Sequence, residues 1–413
     1  MFLKDHRIEK NREHSIIFPK RQVKEVVVKS TANINDSFLK IFKVIFLLFR
    51  LTGIEVFSHS KTMDLKGLNA NRSKCLRYRL IFVIQNVSKY TICVGMSLMI
   101  LLGILMIFYK EDKTGGLTYH CAALITVIFY ASVYIRRQAM FIVTDTLSQL
   151  VRKVKDGTSK VKTHLFLAYL ITMQIILTIA HILRCLSENY MSSYLLIVTD
   201  SLNPTIYYCC QFLAIYLTFS SLLRYIAILV FTLYYILTCS FIRALLQHVL
   251  EQLEGDLFPE DLVNLLSVYG DIARCMGSVD EHLSQPVFLT VVFTMAGLFW
   301  GGYRIVFNSG MTNGYFLSLL ISLSFCLSIQ LLIMISACMT NELASKVKCV
   351  VQCLPYRSSL QDPQRKFKFN KDLNQENSLT LWKAYVMDRS LIITSIGTLL
   401  TYGILIGTLG KSI

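Results

Sequence analysis

The feature that most constrains this chain is a series of apolar segments, each long enough to cross a lipid bilayer. A helical crossing takes about 20 predominantly apolar residues. Seven segments meet this requirement: Ile84–Tyr109, Leu117–Ile135, Thr163–Leu183, a segment that begins at Thr205, Val287–Ile305, Gly314–Met339 and Ser390–Gly410. Charged residues make up only 16% of the chain, whereas soluble domains carry about 25%. The sequence therefore predicts an all-α membrane protein with seven transmembrane helices.

The fourth span belongs to an unusually long uninterrupted segment. From Thr205 to Glu254 the sequence contains neither glycine nor proline, so it lacks the residues that most often mark a turn. A helix of about 50 residues would extend about 75 Å, more than twice the hydrocarbon thickness of a bilayer. Either two spans are fused by an unmarked turn, or one helix projects far into the cytosol. The missing turn residues favour one long helix.

The distribution of positive charge predicts the orientation of the spans. The chain has 42 Lys and Arg residues and a net charge of +16. With the N-terminus inside, few of them fall in external segments: Lys110, Lys113, Arg184, Arg304 and Lys411. Cytosolic loops of membrane proteins are enriched in Lys and Arg. The pattern favours a cytosolic N-terminus and an extracellular C-terminus, and it accounts for the basic charge without a nucleic-acid partner.

The spans divide the chain into six parts. Residues 1–79 are a basic cytosolic segment that contains an amphipathic helix, 37–57, at the membrane interface. The remaining parts are transmembrane helices one to four (80–245), cytosolic helices (246–285), transmembrane helices five and six (286–339), further cytosolic helices with a linker (340–389), and transmembrane helix seven (390–413). Within them we predict a basic loop over 138–162 and a helix over Glu376–Arg389.

The last span carries two distinct faces. A largely hydroxyl-bearing stripe recurs every three or four residues and so lies on one side of a helix: Thr394, Thr398, Thr401, Leu405 and Thr408. Gly403 and Gly407 form a G-x-x-x-G pattern, which lets a neighbouring helix approach closely. One interpretation is a buried bundle helix whose threonines bond to their own carbonyls. The other is a helix that contacts water along the stripe and protein along the glycines.

Polar and aromatic side chains gather near the outer ends of the spans. These candidate ligand-binding residues are His181, Tyr207, Tyr208, Trp300, Tyr303 and Tyr315. They suit an outward-facing pocket with aromatic walls and a few hydrogen-bonding groups. The alternative is an aromatic belt at the level of the lipid headgroups. Arg224, inside the fourth span, either faces a polar cavity or contacts a partner side chain or carbonyl.

The motifs in the sequence do not support an enzyme. We find no G-x-S-x-G, H-E-x-x-H or Walker loop and no paired carboxylates within a span, so neither a cofactor nor a metal is expected. Two strings are typical of G-protein-coupled receptors: Asn203–Tyr207 matches N-P-x-x-Y, and Asp388–Ser390 resembles D-R-Y. The first string lies at the start of the fourth span instead of in the seventh helix, and the second precedes the seventh span instead of following the third. The predicted orientation is also opposite to that of such receptors.

The C-terminal region resembles the signature of the insect gustatory receptor family. The matching residues are Tyr385, Asp388, Arg389, Ser390, Leu391, Gly397, Thr401 and Tyr402. The segment Leu48–Gly53 (LFRLTG) and the layout of the spans are also similar to that family. The chain departs from the signature in three places: Lys383 stands where the family usually has glycine, Tyr385 replaces phenylalanine, and Thr408-Leu409 replaces glutamine-phenylalanine.

The resemblance implies a tetrameric, ligand-gated cation channel in the plasma membrane of sensory neurons. It implies that cytosolic extensions of helices four to seven form an anchor domain and that helix seven lines the ion path. A small-molecule tastant or contact pheromone would bind among helices two to six, and the tetramer would contain copies of this chain or related gustatory receptors. Carried onto this sequence, the pore and gate positions are Thr398, Thr401, Leu405, Thr408 and Leu409.

The residues leave two alternatives to a gustatory channel. One is a seven-helix G-protein-coupled receptor, which the orientation disfavours. The other is a transporter or a non-conducting accessory subunit, which the missing glutamine-phenylalanine pair at Thr408-Leu409 leaves open.

Overall fold

The computed structural model describes residues 40–56, 72–109, 113–154, 168–169, 171–180, 204–255, 259–307, 312–353 and 378–409. Residues 1–39 of the predicted basic segment lie outside these ranges, as do residues 354–377, which include the predicted linker, and His181. Numbered in chain order over the described residues, the helices are α1 (40–51), α2 (Arg72–Tyr109), α3 (Lys113–Ile135), α4 (Arg137–Lys153), α5 (171–180), α6 (Pro204–Glu254), α7 (Pro259–Phe307), α8 (Asn313–Cys353) and α9 (Arg389–Leu409). Two short strands, β1 (Thr380–Leu381) and β2 (Tyr385–Val386), precede α9.

The prediction of one long fourth helix is confirmed, because α6 is continuous over 51 residues. α7 and α8 are also long, with 49 and 41 residues. In each of them a predicted cytosolic helix and a predicted span form a single helix. Pro286 lies inside α7 without ending it.

The described residues contain four helical segments that are long and apolar enough to cross a membrane: Arg79–Leu101, Ile215–Glu254, Leu262–Val306 and Asn313–Cys353. Leu124–Ile135 and Ile171–Ala180 are apolar but shorter, and α9 has 21 residues. These helices coincide with the positions of the predicted spans. The number of seven crossings and their orientation stay predictions.

The middle of α6 lies at the centre of the hydrophobic core. Tyr234 is fully buried, and its ring lies 5.8 Å from that of Phe42 and 6.3 Å from that of Phe49, both on α1. Its hydroxyl donates to the carbonyl of Met140 on α4 at 2.8 Å. The apolar face of α1, which we predicted to lie at the membrane interface, is thus covered by protein, because its aromatic side chains find aromatic partners on α6.

α1 ends in a Schellman motif that explains the glycine of the LFRLTG segment. The amide of Gly53 donates to the carbonyl of Arg50 at 3.0 Å, and that of Ile54 to the carbonyl of Phe49 at 2.9 Å. Gly53 has a φ of 82°, a left-handed conformation that glycine adopts without strain. A Cβ there would lie 2.9 Å from the Cα of Lys89, so this glycine also allows the segment to approach α2.

The predicted basic loop over 138–162 is wrong for its first part, which forms α4. Apolar side chains recur every three or four residues there, and they are buried: Met140, Val143, Leu147, Leu150 and Val151. The basic residues at the end of the helix conceal this amphipathic pattern in the sequence. One of them, Lys153, forms a 2.6 Å salt bridge with Asp271 and so links α4 to α7.

The predicted helix over Glu376–Arg389 is also wrong, because residues 378–388 form a β-hairpin. Thr380 pairs with Val386 and Leu381 with Tyr385. Between them Trp382 and Lys383 have φ of 49° and 57°, the left-handed pair that defines a type I′ turn. Helical pattern reasoning missed it because contacts with distant helices hold the hairpin in place. Lys383 occupies the position where the gustatory receptor signature usually has glycine. Glycine adopts such a positive φ without strain.

Candidate pore helix and ligand sites

The predicted pore helix, α9, leaves its threonine stripe uncovered on this chain. Four of the hydroxyls donate to carbonyls three or four residues earlier in the same helix, at 2.8 or 2.9 Å: those of Thr394, Thr398, Thr401 and Thr408. Thr398 is half-buried, and Thr394, Thr401, Leu405 and Thr408 are exposed. A hydroxyl that donates can still accept a hydrogen bond. The threonines thus bond to their own backbone, as in the first interpretation, but on this chain their face is open and not buried. That the stripe contacts water stays a prediction.

Other residues of α9 pack against α7 and α8. The amide of Gln330 on α8 donates to the hydroxyl of Ser395 at 3.4 Å. The ring of Tyr402 lies edge-on to that of Phe299 on α7, with centroids 6.4 Å apart. The predicted gate residue Leu409 lies at the end of α9, but the surroundings of its side chain, and those of Gly403 and Gly407, lie outside what the structure describes.

The family-like residues at the start of α9 hold the helix in position. Asp388 is the N-cap, because its carboxylate accepts a hydrogen bond from the amide of Leu391 at 2.8 Å. Arg389 donates from Nη2 to Glu342 of α8 at 2.8 Å and from Nε to the second oxygen of the same carboxylate. The carbonyls of Ser390 and Gly397 accept from the threonine hydroxyls one turn later. These roles are structural, and none requires contact with a ligand.

The 378–388 hairpin connects α9 to the long helices. Asn341 of α8 makes three hydrogen bonds with its backbone: Nδ2 donates to the carbonyls of Leu379 and Met387 at 2.9 Å, and Oδ1 accepts from the amide of Leu379 at 2.8 Å. Asp280 of α7 accepts from the amide and hydroxyl of Thr380 at 2.6 and 2.8 Å. The hairpin thus joins both α7 and α8 to the start of α9.

Three of the predicted ligand-binding residues meet where α7 ends and α8 begins. The rings of Trp300 and Tyr303 stack with centroids 5.7 Å apart. The guanidinium of Arg304 lies 5.0 Å from the centroid of Trp300 and 5.8 Å from that of Tyr315, and it donates a hydrogen bond to the Tyr315 hydroxyl. Tyr315 is 3% exposed. We call Trp300, Tyr303, Arg304 and Tyr315 the outer cluster.

Sequence reasoning missed Arg304, which it counted only as an external charge. The available signal was its spacing, because Arg304 follows Trp300 by four residues and so lies on the same side of a helix. Of the other predicted residues, Tyr207 and Tyr208 lie in the first turns of α6, where the structure describes the backbone but not the side chains. The structure therefore brings together Trp300, Tyr303 and Tyr315 and leaves the remaining three untested.

A small apolar cavity lies between α6 and α8, and the sequence did not suggest it. Its walls are Tyr169, Leu229, Thr232, Leu233, Ile236, Ile329 and Leu332. Tyr169 and Thr232 supply the hydroxyl groups of these walls, and the hydroxyl of Thr232 donates to the carbonyl of Ile228 at 2.9 Å. Its volume is about 10 Å³, which is room for about one water molecule, so it is a gap in the packing of the two helices and too small for a ligand of several carbon atoms.

Arg224 is a packed residue of α6, with 6% exposure. Its Nη2 donates to the sulfur of Met99 on α2 at 2.7 Å. Of the two alternatives from the sequence, the structure shows contact with a partner side chain. Within the described ranges, no group of three or more His, Cys, Asp or Glu side chains is arranged to hold a metal ion.

Comparisons with known proteins identify the fold. The chain superimposes on the structure of the insect olfactory receptor OR5 from Machilis hrabei in complex with eugenol, with a TM-score of 0.62 and 14% identity, over 91% of this chain and 99% of that one. A second structure of that receptor gives a TM-score of 0.61 and 15% identity over 90% and 98% of the two chains. No family model and no curated protein matches the sequence. The chain thus has the fold of an insect olfactory receptor.

Proposed function

Starting from this shared fold, we propose that the chain is a gustatory receptor of the insect chemoreceptor superfamily that acts as a ligand-gated cation channel. An external tastant or contact pheromone would open it. The observation that carries the proposal is the environment of α9, which packs on α7 and α8 but leaves its hydroxyl stripe uncovered. The resemblance to gustatory receptors at Asp388–Ser390 supports the same function.

The uncovered residues of α9 support a tetramer around a central pore. Ile393 is 71% exposed and Leu400 is 63% exposed, and both lie on the same helix as the threonine stripe. In four copies arranged around an axis, the stripe would line the ion path and the apolar residues would contact neighbouring subunits. A ring of Leu405 side chains, which are 49% exposed here, could then close the pore by excluding water.

The contacts of the hairpin supply a route from ligand to pore. A ligand at the outer cluster, where α7 ends and α8 begins, would change how these two helices pack. Both helices hold the hairpin, through Asp280 and Asn341, and the hairpin leads directly into α9. In this mechanism the ligand stabilises one of two arrangements of packed helices, and α9 follows.

The lining residues favour a small ligand that is mostly apolar and carries a hydrogen-bonding group. The stacked rings of Trp300 and Tyr303 and the polar groups of Arg304 and Tyr315 in the outer cluster suit such a molecule. The related fold of the olfactory receptor is known with eugenol, which is a small phenol. Eugenol and other substituted phenols are therefore the first compounds that we would apply.

Recording from the purified chain in liposomes tests the proposal. We expect phenols or known tastants to evoke cation currents with no G protein present, and Leu405→Asp to pass current without ligand, because a ring of carboxylates prevents the constriction from excluding water. Signalling that strictly requires a G protein would reject the proposal, as would cytosolic labelling of a C-terminal epitope tag. Current that appears only on coexpression with another receptor would support the accessory-subunit alternative, which the Thr408-Leu409 departure leaves open.

A further inference from the structure

Two cations contact one aromatic ring where α2 and α3 lie side by side. The ammonium of Lys89 lies 5.3 Å from the centroid of the Tyr134 ring, and the guanidinium carbon of Arg137 lies 4.1 Å from it. Nη1 of Arg137 also donates to the carbonyl of Tyr134 at 2.7 Å. The two charges are therefore no more than about 10 Å apart, roughly one Debye length at 0.1 M salt.

A third cation, Arg50, lies beside this pair. Its Nε donates to Oε1 of Gln85 at 2.8 Å, one helical turn before Lys89. Close contact between Gly53 and the backbone of Lys89 brings the α1 segment to this place. The partners that the structure gives Lys89, Arg137 and Arg50 are neutral: a ring, a carbonyl and an amide. Their positive charges therefore stay available to an anion.

The surroundings of these cations suit a membrane boundary. Exposed apolar side chains flank them on α2 and α3: Val87 is 56% exposed, Tyr90 70% and Ile135 74%. Lys89 lies near the start of the first predicted span, and Arg137 follows the end of the second, both on the predicted cytosolic side. α4 begins at Arg137 with no side chain capping its first turn, and that end of a helix attracts negative charge.

We propose that Lys89, Tyr134, Arg137 and Arg50 form a binding site for the headgroup of an anionic phospholipid in the cytosolic leaflet. Lys89 and Arg137 would bind the phosphate, and Val87, Tyr90 and Ile135 would lie against the acyl chains. Basic residues attract anionic lipid close to the surface. A solvated basic face would account for the charges, but it would not require two of them to be held on one tyrosine ring. The site does not depend on whether the chain conducts ions.

Native mass spectrometry of the full chain in detergent tests this site. Titration with dioleoyl phosphatidylserine and, separately, with dioleoyl phosphatidylcholine gives the two lipid affinities. We expect Lys89→Gln/Arg137→Gln to weaken retention of phosphatidylserine about tenfold and to leave phosphatidylcholine unchanged. The matched control is Arg274→Gln/Lys346→Gln, which removes the same charge from exposed residues paired with Asp271 and Glu254, and it should bind as the wild type does.

Equal retention of phosphatidylserine by the wild type and the Lys89/Arg137 double variant would overturn the proposal. An equal loss of phosphatidylserine retention in the Arg274/Lys346 control would also overturn it, because that result would show only a general effect of charge. Millimolar inorganic phosphate should not displace the lipid; if it does so completely, the site binds free phosphate instead. If the double variant is not monodisperse, the single variants Lys89→Gln and Arg137→Gln should each weaken retention about threefold.

Discussion

Arg389, the first residue of α9, donates two hydrogen bonds to the carboxylate of Glu342 on α8. Two parallel hydrogen bonds between planar groups fix both the distance and the relative orientation of their helices. The side chains are 79% and 42% exposed, and exposed ion pairs contribute little to stability. The pair therefore positions α9 relative to α8 more than it stabilises the fold.

Reversal of the charge at Arg389 tests this positioning. We expect Arg389→Glu to reduce the current evoked by an active phenol severalfold, because two carboxylates would repel each other at the α8–α9 contact. The double variant Arg389→Glu/Glu342→Arg should recover most of the current. Whole-cell recording measures the effect, with surface biotinylation to correct for expression. Arg274→Glu, which disturbs an exposed pair on α7, should leave the current unchanged; a double variant no better than the single one would contradict the prediction.

The same pair predicts a dependence on acid. Hydrogen bonding to Arg389 lowers the pKa of Glu342 below its ordinary value of 4.5. The carboxylate is thus ionised in the folded chain above pH 4.5, and its contribution is lost as the pH falls through the lowered pKa. The melting temperatures of the wild type and Glu342→Gln should differ by a constant amount at neutral pH and converge in acid. Glu251→Gln, at an exposed carboxylate of α6, is the control, and a difference that persists in acid would oppose the prediction.

Asn341 is expected to contribute most to the stability of the hairpin. Replacement by leucine keeps the approximate volume but removes three hydrogen bonds to the backbone of Leu379 and Met387, both 1% exposed. Buried groups left unpaired cost about 1–3 kcal/mol each. We expect the melting temperature of Asn341→Leu to fall by several degrees, while Ser345→Ala on the exposed side of α8 changes little. Equal melting of the two variants would show that the hairpin is held by other contacts.

Replacement of Lys383 by glycine should stabilise the chain. Lys383 has a φ of 57°, and a left-handed residue with a Cβ costs about 1–2 kcal/mol relative to the right-handed conformation. Glycine relieves that cost, so thermal melting of Lys383→Gly should occur at a higher temperature. Ala384→Gly, one residue later and outside the left-handed pair, should be neutral or slightly destabilising. A higher melting temperature for Ala384→Gly than for Lys383→Gly would mean that the turn differs from type I′.

Cysteine substitution in α9 tests which face lines the pore. Thr408 belongs to the stripe and is exposed, so we expect Thr408→Cys to make the current sensitive to a membrane-impermeant thiol reagent applied outside. Gly403 belongs to the predicted packing face, and Gly403→Cys should remain insensitive. The same recording from the wild type gives the background effect of the reagent on native thiols such as Cys93, which is exposed. Sensitivity at Gly403 alone would mean that the helix is rotated from the predicted orientation.

The outer cluster shows how far site prediction from the sequence could reach. Trp300, Tyr303 and Tyr315 were predicted because aromatic residues near the ends of spans are visible in the sequence. Arg304 was not, because its role depends on the ring of Tyr315, which reaches it from another helix. The walls of the cavity at Thr232 come from α6, α8 and Tyr169, and the sequence does not show that these segments meet.

The sequence by itself determined most of the long apolar helices of this protein, although not α4. Length, apolar content and the absence of turn residues are local properties, and they were sufficient to predict α6 as one helix and to predict apolar helices where the structure has them. The tertiary structure decided which faces are covered and where helix gives way to another conformation. α1 is covered because Tyr234 lies opposite its aromatic residues, and residues 378–388 form a hairpin because Asn341 and Asp280 bond to its backbone from distant helices. Contacts between residues far apart in the chain supply the free energy that stabilises these two arrangements. A local sequence pattern does not show which distant residues will meet.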